Sequence, residues 1–301
     1  MATKMILDTD IGTDIDDAWA LLLALASPEL DLRCVTLVHA DLEVRAKIAL
    51  KLLKLAGRAE VPVAKGISEP LTPGARLHWG GYEGTETDFS DINPADATED
   101  AVDRIVEIVK ANPGEVAIAP IGPLTNIAAA LRKAPEIVKM VRRCYIMGST
   151  FNGLGPENAA REHNAHVDPF ATKIVFESGI PITLVGLNVT TQTRLRWEDV
   201  SRLQGKNPLA DYIHAMTEQF CKRILNRDWM HMHDPLALAA AVEPGVIETR
   251  ALSPKACDDG SVIWSEPAAG KTIVDVATGV NLAKFDEVFL NKTLDFIERR
   301  H

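Results

Sequence analysis

Apolar residues in this chain gather in short runs, and each early run is followed by a longer stretch in which apolar and polar positions recur with helical spacing. "KMILD" gives way to such a pattern over 17–26, "LRCVTLVH" to one over 42–56 and "EVAIAPI" to one over 124–133, with "RCYIMG" and "PITLVG" further on. Strand followed by helix, repeated, predicts an α/β fold in which a parallel sheet carries helices on both faces. The runs are apolar throughout rather than alternating, as strands covered on both sides are. Near the end, "SVIWSE" and "KTIVDVA" flank "PAAG" and predict an antiparallel hairpin at the sheet edge, followed by a closing helix over 284–298. Gly/Pro-rich stretches at 65–74 and 151–157 read as loops within one domain spanning 1–301, because the alternation resumes after each. Neither an internal repeat nor a low-complexity linker interrupts it.

Composition narrows the function classes. A chain of 301 residues with 47% apolar content can fill a substantial core. Lys and Arg number 32 against 42 Asp and Glu, and a net charge of −10 disfavours nucleic acid or an anionic membrane as partner. The opening residues lack the basic and apolar regions of a secretory leader, and no apolar run approaches eighteen residues, so the expected setting is the cytoplasm. Cys34, Cys144, Cys221 and Cys257 stand far apart without a C-x-x-C spacing, which suggests neither a disulfide framework nor a zinc site.

The stretch "DTDIGTDIDDAWAL" changes the picture. Asp8, Asp10, Asp14, Asp16 and Asp17 crowd the expected carboxyl end of the first strand, where folds of this class bind ligands. Capping of the following helix by Asp14 or Asp16, and the preference of helix N-termini for acids, account for two of the five. Carboxylates held close together raise one another's pKa unless a cation offsets them, and an all-oxygen donor set points to Ca²⁺ or Mg²⁺.

Two readings of such a strand end compete. "DTDIGT" is similar to the D-x-D-x-T opening of haloacid-dehalogenase-type phosphatases, Mg²⁺ phosphohydrolases in which the first aspartate attacks phosphate; here Asp8 would be the nucleophile and Asp10 the acid/base. That reading needs a later lysine and an aspartate pair at strand ends, and "ACDDGS" at 256–261 sits too near the terminal hairpin to supply the pair. The chain does offer "GPLTNIA" at 122–128, "REHN" at 161–164 and "HDPLALA" at 233–239. With the opening motif these resemble, in order, the inosine-uridine-preferring nucleoside hydrolase family, calcium-dependent enzymes that split ribonucleosides into ribose and free base. The resemblance runs from Asp8 to Ala239. It implies an open, mostly parallel Rossmann-like sheet, a Ca²⁺ ion at the strand ends, a homodimer or homotetramer, and a place in purine or pyrimidine salvage. A nucleoside-binding module without turnover is a third reading, against which stands the presence of every expected catalytic residue.

The resemblance also implies roles, position by position. Asp10 would touch the ion and take the proton from the attacking water. Asp17 and Asp234 would be further metal ligands, joined by a backbone carbonyl at Ile121 or at Thr125, and Asp16 would grip a ribose hydroxyl. Glu162 and Asn164 match the ribose clamp; a family asparagine six residues before Glu162 is replaced by Pro156, so either Asn158 takes over that contact or it is lost. His233, beside a metal ligand, would be the acid that protonates the leaving base. Trp229 and His231 in "DWMHMHD", with Trp79 and His78 in "LHWGGYEG", would cover the nucleobase. Where many family members carry Gly-Asn after the second strand this chain has Ala40-Asp41, and Asp41 either contacts metal or ribose or caps the helix over 42–56.

The chemistry fits these residue types independently. Breaking an N-glycosidic bond builds positive charge on the ribose, which a carboxylate-rich pocket favours. A metal acidifies water, and a neighbouring carboxylate can take the proton near neutrality.

Overall fold

The first apolar run forms β1 (Thr3–Thr9), and its alternate residues leave on opposite faces: Met5 and Leu7 enter one core, Ile6 the other. The computed structural model describes residues 2–75, 77–85 and 87–300. The remaining strands are β2 (Leu30–Leu37), β3 (Val63–Lys65), β4 (Val116–Pro120), β5 (Arg143–Met147), β6 (Ile182–Val185), β7 (Leu195–Arg196), β8 (Trp229–Met230), β9 (Ile247–Ala256), β10 (Val262–Ser265) and β11 (Val274–Val280). β7 and β8 pair only with each other; the rest form one sheet in the order β10-β9-β11-β6-β5-β4-β1-β2-β3. From β11 to β3 every neighbouring pair is parallel.

That order places β1 between β2 and β4, so the connections leaving β1 and β4 diverge to opposite sides and open a crevice at their carboxyl ends. Helices fill both faces. Those near the crevice are α1 (Asp16–Ala26), α2 (Leu42–Leu55), α3 (Ala101–Ala111), α4 (Thr125–Lys133), α5 (His163–Val167), α6 (Pro169–Glu177) and α7 (Leu187–Thr190). After them come α8 (Trp197–Ser201), α9 (Pro208–Glu218), α10 (His233–Val242), and a helical run through α11 (Leu282–Phe285) and α12 (Lys292–Glu298), which is the expected closing helix. α1 is buried on nearly every side, with Trp19 donating from Nε1 to the Thr217 hydroxyl at 3.1 Å. Among the described residues no helix is long and apolar enough to cross a membrane.

One expectation fails at the edge. β10 and β11 do not pair as a hairpin, because β9 runs between them: Trp264 lies opposite Pro254, and Asp275 opposite Ala251. The intervening strand, "IETRALSPKA", contains a proline and four consecutive exposed residues, so its hydrophobic pattern is weak although both its edges are hydrogen-bonded. β3, only three residues long, and α3 also escaped the pattern.

Candidate active site

The site assembles where β1 ends. Asp8 is fully buried, and its Oδ1 accepts from the Thr36 hydroxyl at 2.5 Å and the Asn126 amide at 2.8 Å. Burial raises its carboxyl to about 7 despite those bonds. Asn126 goes further: Nδ2 also reaches the Leu37 carbonyl at 3.0 Å, and Oδ1 accepts from Ile67 N at 2.9 Å. One amide thus ties together the exits of three strands and α4. A Cβ on Gly66 would fall 2.3 Å from that amide, so the chain passes there only as glycine. Asp8 does not line the cavity described below, which removes the nucleophile that a phosphohydrolase would need.

Beyond Asp8 the loop turns through Gly12, at φ 116, into α1. Thr9 donates its hydroxyl to Asp17 and accepts from Ile11 N, setting the first turn of α1 against the strand end. From the other side of the chain, Asp16 Oδ2 accepts from the backbone of His233 at 3.1 Å and of Asp234 at 3.3 Å, so the acid at the start of α1 caps α10. The carboxylates of Asp16, Asp17 and Asp234 converge within 4.8 Å of one another, all buried. The β4–α4 turn closes against them: a Cβ on Gly122 would stand 2.7 Å from Asp10 Oδ1 and 2.9 Å from its backbone nitrogen.

These residues floor a cavity of about 290 Å³, walled also by Thr13, Asp14, His78, Ile121, Met147, Glu162, His163, Asn164, Leu187 and His233. Asp10 stands in the same wall, beside the converging trio and not within it; Asp16, expected at the ribose, lies inside the trio. Burial, then mutual repulsion, raises Asp16 to about 8 and Asp17 and Asp234 well above the ordinary carboxylate range. Asp14, exposed to the cavity, is raised to about 6 by desolvation and then by Asp10.

Three buried carboxylates with only oxygen donors, each disfavoured as an anion by the others, fit a hard divalent cation, which would remove both the repulsion and the desolvation cost.

On the opposite wall Glu162 caps α5, accepting from Ser149 N at 2.7 Å, Asn164 N at 2.9 Å and Ala165 N at 3.1 Å. Asn164 Nδ2 donates to the Ile121 carbonyl at 2.7 Å, so the expected clamp and the expected carbonyl ligand are already joined. Thr125, the alternative to Ile121, is not in the cavity wall, and its hydroxyl donates to Asp168 at 2.8 Å. The turn at 257–261 braces α5 from outside: Arg161 pairs with Asp259, His166 Nδ1 bonds the Asp259 carbonyl, and Gly260 packs backbone to backbone on Ala165. His233 Nδ1 lies 2.7 Å from the Thr190 hydroxyl, leaving Nε2 for a ligand, and burial, then His231, pushes the imidazole down to about 4.

Five expected residues stand off the cavity wall. Asp41 caps α2, accepting from Glu43 N at 3.0 Å and Val44 N at 3.1 Å. Asn158 donates to the Leu154 carbonyl within its own turn. Trp229 is occupied by the guanidinium groups of Arg194 and Arg227, 4.5 and 5.3 Å from its centroid, and His231 packs between Trp229 and His233. Trp79 lies against Arg45. His78, which was expected with Trp79, does line the cavity, and beside it stands His163, the third letter of "REHN", their rings 5.3 Å apart.

A family model described as inosine-uridine preferring nucleoside hydrolase matches residues 5–287. The chain belongs to that family. This nucleoside hydrolase is 33% identical to uridine nucleosidase 1 of Arabidopsis thaliana, the match covering 93% of this chain and 89% of that one. It is equally identical, over 83% of this chain and 82% of the other, to a pyrimidine-specific ribonucleoside hydrolase, RihA, of Citrobacter koseri. Among solved structures, a purine-preferring ribonucleoside hydrolase from Gardnerella vaginalis superposes with a TM-score of 0.84 at 32% identity, covering 98% of this chain and 99% of that one. The plant nucleoside hydrolase PpNRh1 gives the same TM-score at 29% identity, with the same coverage. The protein is therefore an enzyme that hydrolyses the N-glycosidic bond of ribonucleosides, in a metal-dependent family, and its fold is that of the nucleoside hydrolases.

Proposed function

We propose that the enzyme hydrolyses purine and pyrimidine ribonucleosides to ribose and free base with calcium as its metal, acting as a homodimer or homotetramer in cytoplasmic nucleoside salvage. The observation that carries the calcium reading is the convergence of Asp16, Asp17 and Asp234 in the floor of the cavity opposite Glu162 and Asn164. Asp10, Asp17, Asp234 and the Ile121 carbonyl would hold the ion, with Asp16 against it. When bound, calcium offsets the clustered negative charge and lends Lewis acidity to water and to vicinal hydroxyls.

The chain's own groups do the rest. Asp10, on the cavity wall beside the trio, accepts the proton of the attacking water. Asp16, Glu162 and Asn164 offer acceptors and an amide to the ribose hydroxyls, orienting the anomeric carbon toward that water. The surrounding carboxylates favour the positive charge that grows on the sugar. His233, neutral at pH 7, carries its hydrogen on Nε2 when Thr190 donates to Nδ1, and offers it as a hydrogen bond to the departing base, stabilising the negative charge that gathers there until solvent supplies the proton.

The test is release of reducing sugar from inosine and from uridine, with and without chelator. Release that stops with chelator and returns with Ca²⁺ supports the reading. Undiminished release after exhaustive metal removal overturns the calcium assignment, and release from neither nucleoside in Ca²⁺ overturns the substrate assignment.

A further inference from the structure

Arg45 is fully buried beneath the aspartate loop. Its charge favours the Asp17 carboxylate, but its hydrogen bonds go to other groups: Nε donates to the His39 carbonyl at 2.6 Å, Nη1 to the carbonyls of Asp10 and Ile11 (the latter at 2.9 Å), and Nη2 to the Thr13 hydroxyl at 3.3 Å. Its flat face lies against Trp79, 5.2 Å from the ring centroid. The surrounding backbone is shaped to receive it. His39 and Ala40 take φ values of 69° and 57°, a left-handed pair held by hydrogen bonds from their N–H groups to the carbonyls of Ile67 and Ser68. Asp41 then starts α2, and Arg45 is delivered one turn later, its own N–H on the Asp41 carbonyl. Ile48, a further turn along the same face, presses on Gly12, where a Cβ would come within 2.6 Å of its Cδ1. The unusual Ala40-Asp41 pair thus opens the helix that carries Arg45.

We infer that Arg45 is a positioning residue for the cation site: through the carbonyls of Asp10 and Ile11 it holds the loop in the conformation that gathers Asp10, Asp16 and Asp17, and it couples that loop to the Trp79 segment. This rests on the reading of the acidic trio as a cation site.

A buried guanidinium has two opposed effects on a neighbouring cation. Its charge repels the ion, whereas its donors preorganise the loop that binds it. All four of its hydrogen bonds go to backbone carbonyls and a hydroxyl of the loop and its neighbour, which is the arrangement of an organising group. The sign of the effect on calcium affinity therefore separates the two.

Calorimetric titration of Ca²⁺ into the metal-stripped protein, without nucleoside, is run on wild type, R45K and R45M, alongside thermal melts. Lysine keeps the charge and loses the fork; methionine loses both. R45K should weaken Ca²⁺ binding about tenfold or more, as other groups that orient metal ligands do, while saturating Ca²⁺ restores inosine turnover to within about threefold. R45M should bind Ca²⁺ no better than R45K. An unchanged dissociation constant in R45K overturns the proposal, as does tighter binding in R45M, which would make Arg45 a compensating charge. Failure of both variants to fold also overturns it, because Arg45 would then be required for the fold itself. The wild-type titration stands apart: absence of Ca²⁺ binding there overturns the cation reading, and this proposal with it.

Discussion

Removing the Asn126 side chain offers a direct test of how the floor of the site is held. In Asn126→Ala the Leu37 carbonyl keeps the Gly66 N–H at 3.0 Å, and Asp8 Oδ1 keeps the Thr36 hydroxyl. Two groups lose out: the Ile67 N–H, whose acceptor was Asn126 Oδ1, and the buried Asp8 carboxyl, which loses its amide donor. At about 1–3 kcal/mol for each buried polar group stripped of a partner, the loss is about 3 kcal/mol in all. For a chain of this size that is a fall in Tm of roughly 6–12 °C. Asn126→Asp restores an acceptor for Ile67 but sets a second carboxylate against Asp8. The Asp8 carboxyl is already raised from 3.8 to about 7, so its contribution to stability is present at low pH and is lost as pH rises through about 7. A second anion steepens that loss. N126D should therefore melt lowest at pH 8 and regain most of the difference toward pH 6, where one proton shared between the two carboxyl groups replaces the lost amide donor. N126A should change less over the same range. The assay is thermal unfolding by circular dichroism at pH 6, 7 and 8. Melting of N126D within about 2 °C of wild type at pH 8, or a deficit independent of pH, would refute the reasoning.

Three further outcomes are expected. Because Asp16 is raised to about 8, and Asp17 and Asp234 are raised with it, the metal-free trio retains protons at pH 7; calcium binding should release about one or more and tighten about tenfold per pH unit from 6.5 to 8. Calorimetry in two buffers of different ionisation heat measures this, and zero release would show the trio fully ionised before binding. Gly122→Ala should cost about 10²-fold in kcat, because the new Cβ would displace Asp10, and should also lower Tm, because it would meet the Cγ1 of buried Val38 at 2.9 Å; near-normal kcat would show that Asp10 tolerates the shift. His233→Ala should slow inosine hydrolysis about 10²-fold or more and an activated nitrophenyl riboside far less. Equal losses on both substrates would remove His233 from stabilisation of the leaving base.

Much of this was legible in the chain because parallel strands buried on both faces announce themselves as unbroken apolar runs, and because "DTDIGTDIDDA" and "HDPLALA" keep the acids of the site in short contiguous motifs. What escaped did so for physical reasons. β9 carries its strand character in its hydrogen bonds rather than in its side chains, so no periodicity marks it. Asn126 stood in view inside "GPLTNIA", yet its three partners come from strand exits far away in sequence. Trp79 and Trp229 were read as base-stacking platforms, but an indole that packs on arginine has the same sequence signature as one that waits for a ligand. No sequence motif marks Arg45, and it is the left-handed turn at His39 and Ala40 that brings the His39 carbonyl to it.

The hydrogen bonds from His233 and Asp234 to Asp16 join positions separated by 217 and 218 residues. Neither end of the chain holds a usable half of the metal centre: residues 10–17 alone present repelling anions, and Asp234 alone is one carboxylate on one helix. A nascent chain still on the ribosome before α10 emerges would then lack Asp234, and an ion held by the full trio could not act as a template for early folding. On the proposed calcium reading, metal capture would belong to the last stage of chain closure, and high-affinity uptake of calcium would report that the two distant segments have met.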